Sequence, residues 1–419
     1  MCHYTSIILV WFVFACIASN SRAHYIFTQN AAIHSGSIWL PGDRGDQNVR
    51  IEPRSPEKEA FVSVKYSNKQ ACDVEDDRVA FVAGLFNFPQ YGHTMFNGVG
   101  NIFATMNELG IKRGEVVLLV RKTGRYMRRS PTEEGSRFLT GPFESVFRAI
   151  ANETKSLSGL LRTESVICFS KIIIGFSTAI DHYNPQPSKE TFQEFASFMK
   201  GAFQSFRVDD CKDRVVVVSR PDRAIINERE IVFKVSELLS SFGLNYCLNV
   251  TAFEKIEVHF QINMMTTTRL LFGVDGTGLM NSAFMAWPCG VLVHLRAYGT
   301  SLLHPLKGSN FRRLALLGAG FYLMWENRHF NSTILNKSKL SPAVIDILQR
   351  GDASPREISR LSGHERHVAV LCQHTYVSAP EILSVLERAL QTIINCRQGL
   401  YTANANMIRI EADFPTVGN

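Results

Sequence analysis

The order of apolar and polar positions divides the chain into two stretches in which short apolar runs alternate with segments of helical spacing. In the first stretch FVSVKYS and VAFVAGLF read as strands, because β-branched and aromatic residues crowd into short runs. HTMFNGVGNIFATMNELGI repeats its apolar residues at helical spacing and stops at Gly110, where a glycine commonly closes a helix. EVVLLV is a short buried strand, and SVICFSKIIIGFS, near Val166 to Ser177, reads as a further apolar strand pair. The second stretch opens near Arg214. DRVVVVSRP is a buried strand, INEREIVFKVSELLSSFG an amphipathic helix closed by Gly243, CLNVTAF a strand and VHFQINMMTTT a helix. RLLFGV and CGVLVHLR continue the series, and the tail returns to a strand (HVAVLCQH) and a periodic helix (PEILSVLERALQTII). Strands and helices alternating at this spacing predict an α/β chain with parallel, Rossmann-like sheets that take ligands at the strands' carboxyl ends. No internal repeat or low-complexity tract interrupts the pattern.

The 419 residues exceed one comfortable core and suit two domains. The expected division is a leader over 1–23, a polar stem over 24–60, Rossmann-like units over 61–205 and 206–345, and a closing strand–helix segment with a tail over 346–419. The stem reading rests on the Gly, Pro and charge that fill His24 to about Pro56 without periodicity. In the leader, the apolar run from Ile7 to Ala18 has the length of a signal-peptide core and is short for a bilayer span. Small residues at Cys16, Ala18, Ser21 and Ala23 offer cleavage sites, while no Lys or Arg precedes the core. A cleaved signal and a short membrane anchor both fit, and either sends the rest of the chain into the secretory pathway. The terminus TVGN carries no retention signal, so endoplasmic reticulum and Golgi lumen stand equal.

Composition narrows the partners. Apolar residues at 45% and charged residues at 20% describe a folded globular chain. The formal charge of +7 favours a small anionic ligand over nucleic acid. The basic run RKTGRYMRR (Arg121 to Arg129) has one aromatic and reads as a solvated loop. Seven cysteines follow the leader at spacings that exclude a zinc ribbon or a dense disulfide scaffold. Two or three bridges and at least one free thiol are expected. Asn152, Asn249, Asn331 and Asn336 begin N-x-S/T sequons.

Three segments carry candidate chemistry. DGTGLMN follows the strand RLLFGV, and Gly276 and Gly278 admit a ligand close to the backbone while the next helical turn aims N–H groups at an anion. Asp275 opposes a phosphate there but suits a ribose or sugar hydroxyl, and a ligand-free helix-entry turn fits the same residues. SRPDRAIINERE places Arg220 and Arg223 at the carboxyl end of a core strand, where two guanidiniums would bridge a diphosphate. The competing reading is a surface salt-bridge cluster with Asp222, Glu228 and Glu230. His93 in PQYGHTMFNGVGN starts a helix, where a neutral imidazole takes a proton from a hydroxyl or merely caps and packs. Among absences, the chain has no G-x-S-x-G elbow, no GKS or GKT phosphate loop, no H-E-x-x-H and no Asp-x-Asp manganese handle, which favours a site without metal.

In this order the segments resemble glycosyltransferase family 61, from roughly Phe81 to Leu390. GHTMFNGVGNIFATMNELGI is similar to the family's segment of a histidine followed four residues later by aspartate; His93 matches, and Asn97 stands at the aspartate. ICFSKIIIGFS resembles the strand that comes next. VVVVSRPDRAIINERE is similar to a strand followed by two arginines and Asn-Glu, which falls on Arg220, Arg223, Asn227 and Glu228. GVDGTGLMNSAFMAWPCGVLVHL resembles the block that usually reads histidine before Gly-Ala-Gly-Leu-Thr; Asp275 replaces that histidine and Thr277 the alanine. FYLMWENR resembles the late Tyr-x-x-Trp segment through Tyr322 and Trp325. The resemblance implies an inverting transferase with two Rossmann-like domains facing across a cleft (the GT-B type). Its donor would be a uridine-diphosphate sugar, xylose or N-acetylglucosamine, and its acceptor a hydroxyl of a glycan or glycoprotein, with no cofactor besides the donor substrate. Its donor side falls on Arg220, Arg223, Asn227, Asp275, Gly276, Thr277, Gly278 and Leu279. His93 is the expected base, with Glu326 as the alternative. The substitutions at Asn97 and Asp275 support a second expectation, a catalytically degenerate relative acting as a glycan-binding or partner-binding module.

Overall fold

The computed structural model describes residues 25–34, 37–41, 45–51, 61–67, 71–86, 88, 90–123, 141–162, 164–181, 184, 186–206, 209–303, 310–318 and 320–400. The leader and most of the basic run from Arg121 to Arg129 lie outside them. Contacts divide the chain into two compact units, residues 1–202 and 203–419.

The first unit is built on a mixed sheet. Its strands are β1 (Tyr25–His34), β2 (Ser37–Leu40), β3 (Gln47–Arg50), β4 (Phe61–Tyr66), β5 (Val74–Phe86), β6 (Val116–Thr123), β7 (Glu153–Ser156) and β8 (Ile167–Gly175), in the order β3-β4-β2-β1-β8-β5-β6-β7. The half β8-β5-β6-β7 is parallel. Ala80, Phe81, Val82 and Ala83 are all fully buried, so both faces of this half are covered, as parallel sheets require. The other half departs from the all-parallel expectation, because β1 runs antiparallel to β8 from Tyr25↔Gly175 to Ile33↔Ile167. Residues read as a polar stem thus contribute three strands. The polar run Thr28–Asn30 interrupts β1, β3 is mostly polar, and β1 pairs with β8 far along the chain, so no sustained local pattern marks them. SVICFSKIIIGFS forms one strand, not two, since it contains no glycine or proline before Gly175 to turn the chain. Helix α1 (Gly100–Glu108) continues a wide-turned stretch, His93–Val99, and packs through Phe96 and Phe103 on Phe192 and Phe195 of α2 (Lys189–Phe203).

The second unit holds β9 (Arg214–Val218), β10 (Cys247–Thr251), β11 (Thr268–Val274), β12 (Val291–Arg296) and β13 (Phe321–Glu326), all parallel, in the order β10-β9-β11-β12-β13. Strand order reverses between β9 and β11. One face packs Val215, Val217, Phe272, Val293 and Trp325 against α3 (Glu228–Ser241) and α5 (Ala379–Arg397). Helix α4 (Val258–Thr266) and a 3₁₀ stretch, Thr277–Phe284, complete this part of the unit. The antiparallel pair β14 (Thr333–Leu335) and β15 (Gln373–Thr375) lies beyond β13. The strand expected over HVAVLCQH is mostly helix, Gly363–Leu371, and only the three residues of β15 are extended. The cause is a capping box: Glu365 N–H donates to Ser362 Oγ at 3.1 Å and the Glu365 carboxylate accepts from Ser362 N–H at 2.9 Å, which starts a helix that the apolar run alone leaves ambiguous.

Three disulfides, Cys72–Cys168, Cys211–Cys247 and Cys289–Cys396, leave Cys372 as the free cysteine among the described residues. Such bridges fit an extracytoplasmic chain. Among the described residues no helix is long and apolar enough to cross a membrane. Cys289–Cys396 ties the last turn of α5 to the loop before β12 across 107 residues. Replacing both cysteines by alanine is expected to cost about 2–5 kcal/mol, read as a lower midpoint in urea unfolding.

Candidate functional site

The site grows from the end of β9. Four consecutive valines are buried on both faces of the sheet, and the chain turns polar as it leaves the core at Ser219. Because order reverses between β9 and β11, the loops after these two strands diverge and leave a crevice at their carboxyl ends, the usual ligand position in open α/β sheets. Arg220 and Arg223 come from the first loop, Asp275 and Gly276 from the second.

Arg220 donates from Nε and Nη2 to the two carboxylate oxygens of Asp222, at 2.9 and 2.8 Å. Arg223 donates from Nε to Asp222 Oδ2 at 3.3 Å and from Nη1 to the Asp275 carbonyl at 2.6 Å, which joins the two loops. The guanidinium side chains keep 16% and 12% of their surface exposed, so they are held from behind and open at the rim. Burial opposes ionisation of Asp222, but the hydrogen bonds and charge of Arg220, with the charge of Arg223, outweigh it and hold the carboxyl below its usual range. Burial, then repulsion from Arg220, lowers the pKa of Arg223 from its ordinary value, yet a guanidinium stays charged at neutral pH. Of the two sequence readings of this loop, the ion-pair cluster exists and is centred on Asp222. It leaves two cations and one anion at the mouth of the crevice.

Gly276 has a specific steric duty. A Cβ there would lie 1.8 Å from Arg220 Nη1, so the absence of a side chain makes room for the guanidinium. Gly278 lies close to Val218 and Phe253 in the same way. The residues that follow form 3₁₀ turns, with Leu279 N–H donating to the Gly276 carbonyl at 3.0 Å. Thr277 and Gly278 are partly exposed, whereas Leu279 is fully buried. Gly276→Ala is expected to expel Arg220 from its place. The far end of a flexible side chain can move, so folding stability should change by about 1 kcal/mol or less. Loss of a charge-assisted contact should weaken pyrophosphate binding by roughly tenfold or more, as measured by calorimetry.

Behind this crevice a polar layer occupies the sheet face opposite α3 and α5. Asp275 Oδ1 lies 2.9 Å from His294 Nε2, an ion-pair distance without a well-formed hydrogen bond. His294, in β12, makes a 2.8 Å contact between Nδ1 and the Tyr322 hydroxyl of β13. Burial would raise the Asp275 pKa, but His294, with help from Arg296 and Arg223, outweighs it and holds the carboxyl below its ordinary value. Position 275 carries a carboxylate in place of an imidazole, and the fold supplies an imidazole beside it from the neighbouring strand. His294 was missed because the run VLVHLR reads simply as a buried strand. A histidine inside that run was the available signal, since a buried ionisable group calls for a partner. Further along the same face, Arg296 Nη1 lies 3.2 Å from Glu326 Oε2 and donates to Ser301 Oγ at 2.9 Å, and Ser301 N–H donates to Glu326 Oε1 at 2.7 Å. Glu326 is thus enclosed by hydrogen-bond donors. Asn227 is equally engaged: its amide donates to the Val377 carbonyl at 2.9 Å and accepts from Val377 N–H at 3.0 Å.

In the first unit His93 begins the helical stretch after β5, at the point where strand order changes between β5 and β8. Its Nδ1 lies 3.1 Å from Asn97 Oδ1, four residues on. An amide oxygen only accepts, so Nδ1 carries the proton and Nε2 keeps its lone pair. Asn101 extends the polar stripe, donating to the Asn97 carbonyl at 3.2 Å and accepting from Ile180 N–H at 3.2 Å in the segment after β8. The structure therefore brings Arg220, Arg223, Asp275 and Gly276 together, with Thr277 and Gly278 adjoining, and holds His93 in the other unit.

A parallel α/β unit with paired guanidiniums and a glycine-bearing turn at its strand-order switch has the chemistry that suits an anionic ligand. Residues 91–292 match the family model described as Glycosyltransferase 61, and over this span the chain belongs to that family. It is a glycosyltransferase by family, and the match contains His93, the arginine loop and the DGTGL turn. No curated protein matches the chain.

Proposed function

We propose that this chain transfers a sugar, xylose or N-acetylglucosamine, from a uridine-diphosphate donor to a hydroxyl of a glycan or glycoprotein, with inversion and without a metal, in the lumen of the endoplasmic reticulum or Golgi. The observation that carries the reading is the convergence of Arg220 and Arg223 on Asp275 and Gly276 at the switch in strand order. The two units are taken as the halves of a GT-B enzyme, the second binding the donor and the first the acceptor. The acceptor oxygen attacks the anomeric carbon, the bond from that carbon to the diphosphate oxygen breaks, and the hydroxyl proton passes to His93 Nε2. Arg220 and Arg223 offset the charge that grows on the leaving diphosphate, with N–H groups of the Gly276–Gly278 turn beside them. Asp275 meets a hydroxyl of the donor. His93 is preferred to Glu326 as base because Arg296 and Ser301 already hold the Glu326 oxygens.

Titration with uridine diphosphate, with and without manganese, and incubation with a panel of uridine-diphosphate sugars test the reading. Arg220→Ala should weaken uridine diphosphate binding by roughly tenfold or more. If no such nucleotide binds and Arg220→Ala changes nothing, the donor assignment is abandoned.

A specific observation favours a second reading, a catalytically degenerate glycan-binding or partner-binding module. Asp222 already neutralises part of the arginine pair, and Asn97 stands where the family has aspartate. Asn97→Asp separates the two, since activity gained in an inert chain would support degeneracy. Asp275→His is a poorer restoration, because it sets a second imidazole against His294.

A further inference from the structure

A cavity of about 500 Å³ opens beside Arg223, walled by the arginine loop, β15 and the helix Gly363–Leu371. Asp222 and Arg223 line it as well as the crevice, so the two spaces share a wall. The rest of the lining has two characters. Val368, Leu371 and Cys372 make an apolar side, while Asn336, Lys339, His364 and His374 make a polar one that holds hydrogen-bond donors. His374 is fixed in one tautomer: its Nδ1 accepts from Ala224 N–H at 3.0 Å, which leaves the proton on Nε2 as the donor available to the cavity. Lys339 has no ion-pair partner among the described residues.

We infer that this cavity receives the nucleoside of the donor, a pyrimidine with two ring carbonyls, while its diphosphate lies on Arg220 and Arg223. The inference rests on the donor reading above and adds to it the place and the chemistry of base recognition. A bare anion would need converging donors and no apolar wall, and it would fill little of 500 Å³. A flat ring with two acceptor oxygens uses both characters: its face lies on Val368 and Leu371, and its carbonyls accept from His374 Nε2–H and Lys339. The shared Arg223 sets the phosphates next to the ribose.

Cys372 gives a direct readout, because its free thiol lines the same cavity. The full chain is alkylated with a maleimide, and the labelling that disappears in Cys372→Ala is followed over time. Uridine diphosphate at ten times its Kd should slow that labelling roughly tenfold. Inorganic pyrophosphate, which occupies only the arginines, should leave the rate within about twofold at an equal multiple of its own Kd. As a second measurement, Leu371→Trp fills the cavity and should weaken uridine diphosphate by roughly tenfold or more while leaving pyrophosphate affinity unchanged. If uridine diphosphate binds but neither protects Cys372 nor responds to Leu371→Trp, the nucleoside lies elsewhere and the donor reading stands alone. Equal protection by pyrophosphate marks the cavity as an anion site and overturns the inference. Absence of any uridine diphosphate binding overturns both.

Discussion

His93→Ala is expected to lower the rate of sugar transfer by about 10²–10⁴-fold, the usual contribution of a positioned general base. The donor affinity should not move, because the arginine loop and the DGTGL turn belong to the other unit. The size of the effect follows from the tautomer. Asn97 Oδ1 lies 3.1 Å from Nδ1 and accepts the proton there, so in the proposed mechanism Nε2 would take the acceptor proton without a change of tautomer. An asparagine holds the ring but adds no charge to strengthen the base, as an aspartate would. Asn97→Asp should therefore raise the rate, and added imidazole should restore part of the activity of His93→Ala. Equal turnover in wild type and His93→Ala would remove His93 from the mechanism and leave Glu326 to be tested in the same way.

The second large effect concerns stability. Asp275→Ala should destabilise the second unit by about 3–5 kcal/mol, the usual result of removing one charge from a buried charged cluster, here the carboxylate that faces Arg296 and Arg223. His294 would keep its Tyr322 contact but lose the carboxylate at 2.9 Å, and Arg296 and Arg223 would lose a nearby negative charge. The sign of the pH dependence follows from the lowered pKa of Asp275. A carboxyl that is more acidic in the folded than in the unfolded chain contributes stability that is fully present above the unfolded value, about pH 4. That stability is lost as pH falls through the lower, folded value. Urea unfolding of the wild type should therefore weaken more steeply below about pH 4 than that of Asp275→Ala. His294→Ala in the Asp275→Ala background should recover part of the loss, because the orphaned group goes with it. Parallel acid limbs for the two proteins would show that Asp275 carries no such linkage.

The parallel second sheet was legible because its strands, buried on both faces, leave uninterrupted valine and leucine runs such as RVVVV and VLVHLR. The arginine loop could be found for the same reason: polar residues that directly follow a core strand must emerge at its carboxyl end. The capping box at Ser362 and Glu365 was present in the sequence and outweighed by the apolar run beside it. The strands of residues 25–50 were not legible, since β1 becomes a strand by pairing with β8, and nothing in its own composition announces that partner.

The sequence by itself determined the residue types at the site: two arginines after one core strand, a glycine-bearing turn after another, and a histidine followed by asparagine one helical turn later. Only the tertiary structure decided their roles. Asn227, Leu279 and Glu326 occupy positions as suggestive as those of the arginines, yet the fold commits them to Val377, to the core and to Arg296. Gly276 turns out to make room for Arg220, and His294 arrives beside Asp275 from a neighbouring strand. The physical reason is range. Hydrophobic periodicity is written in neighbours a few residues apart, whereas a charged group takes its partner from whatever element the packed sheet sets next to it.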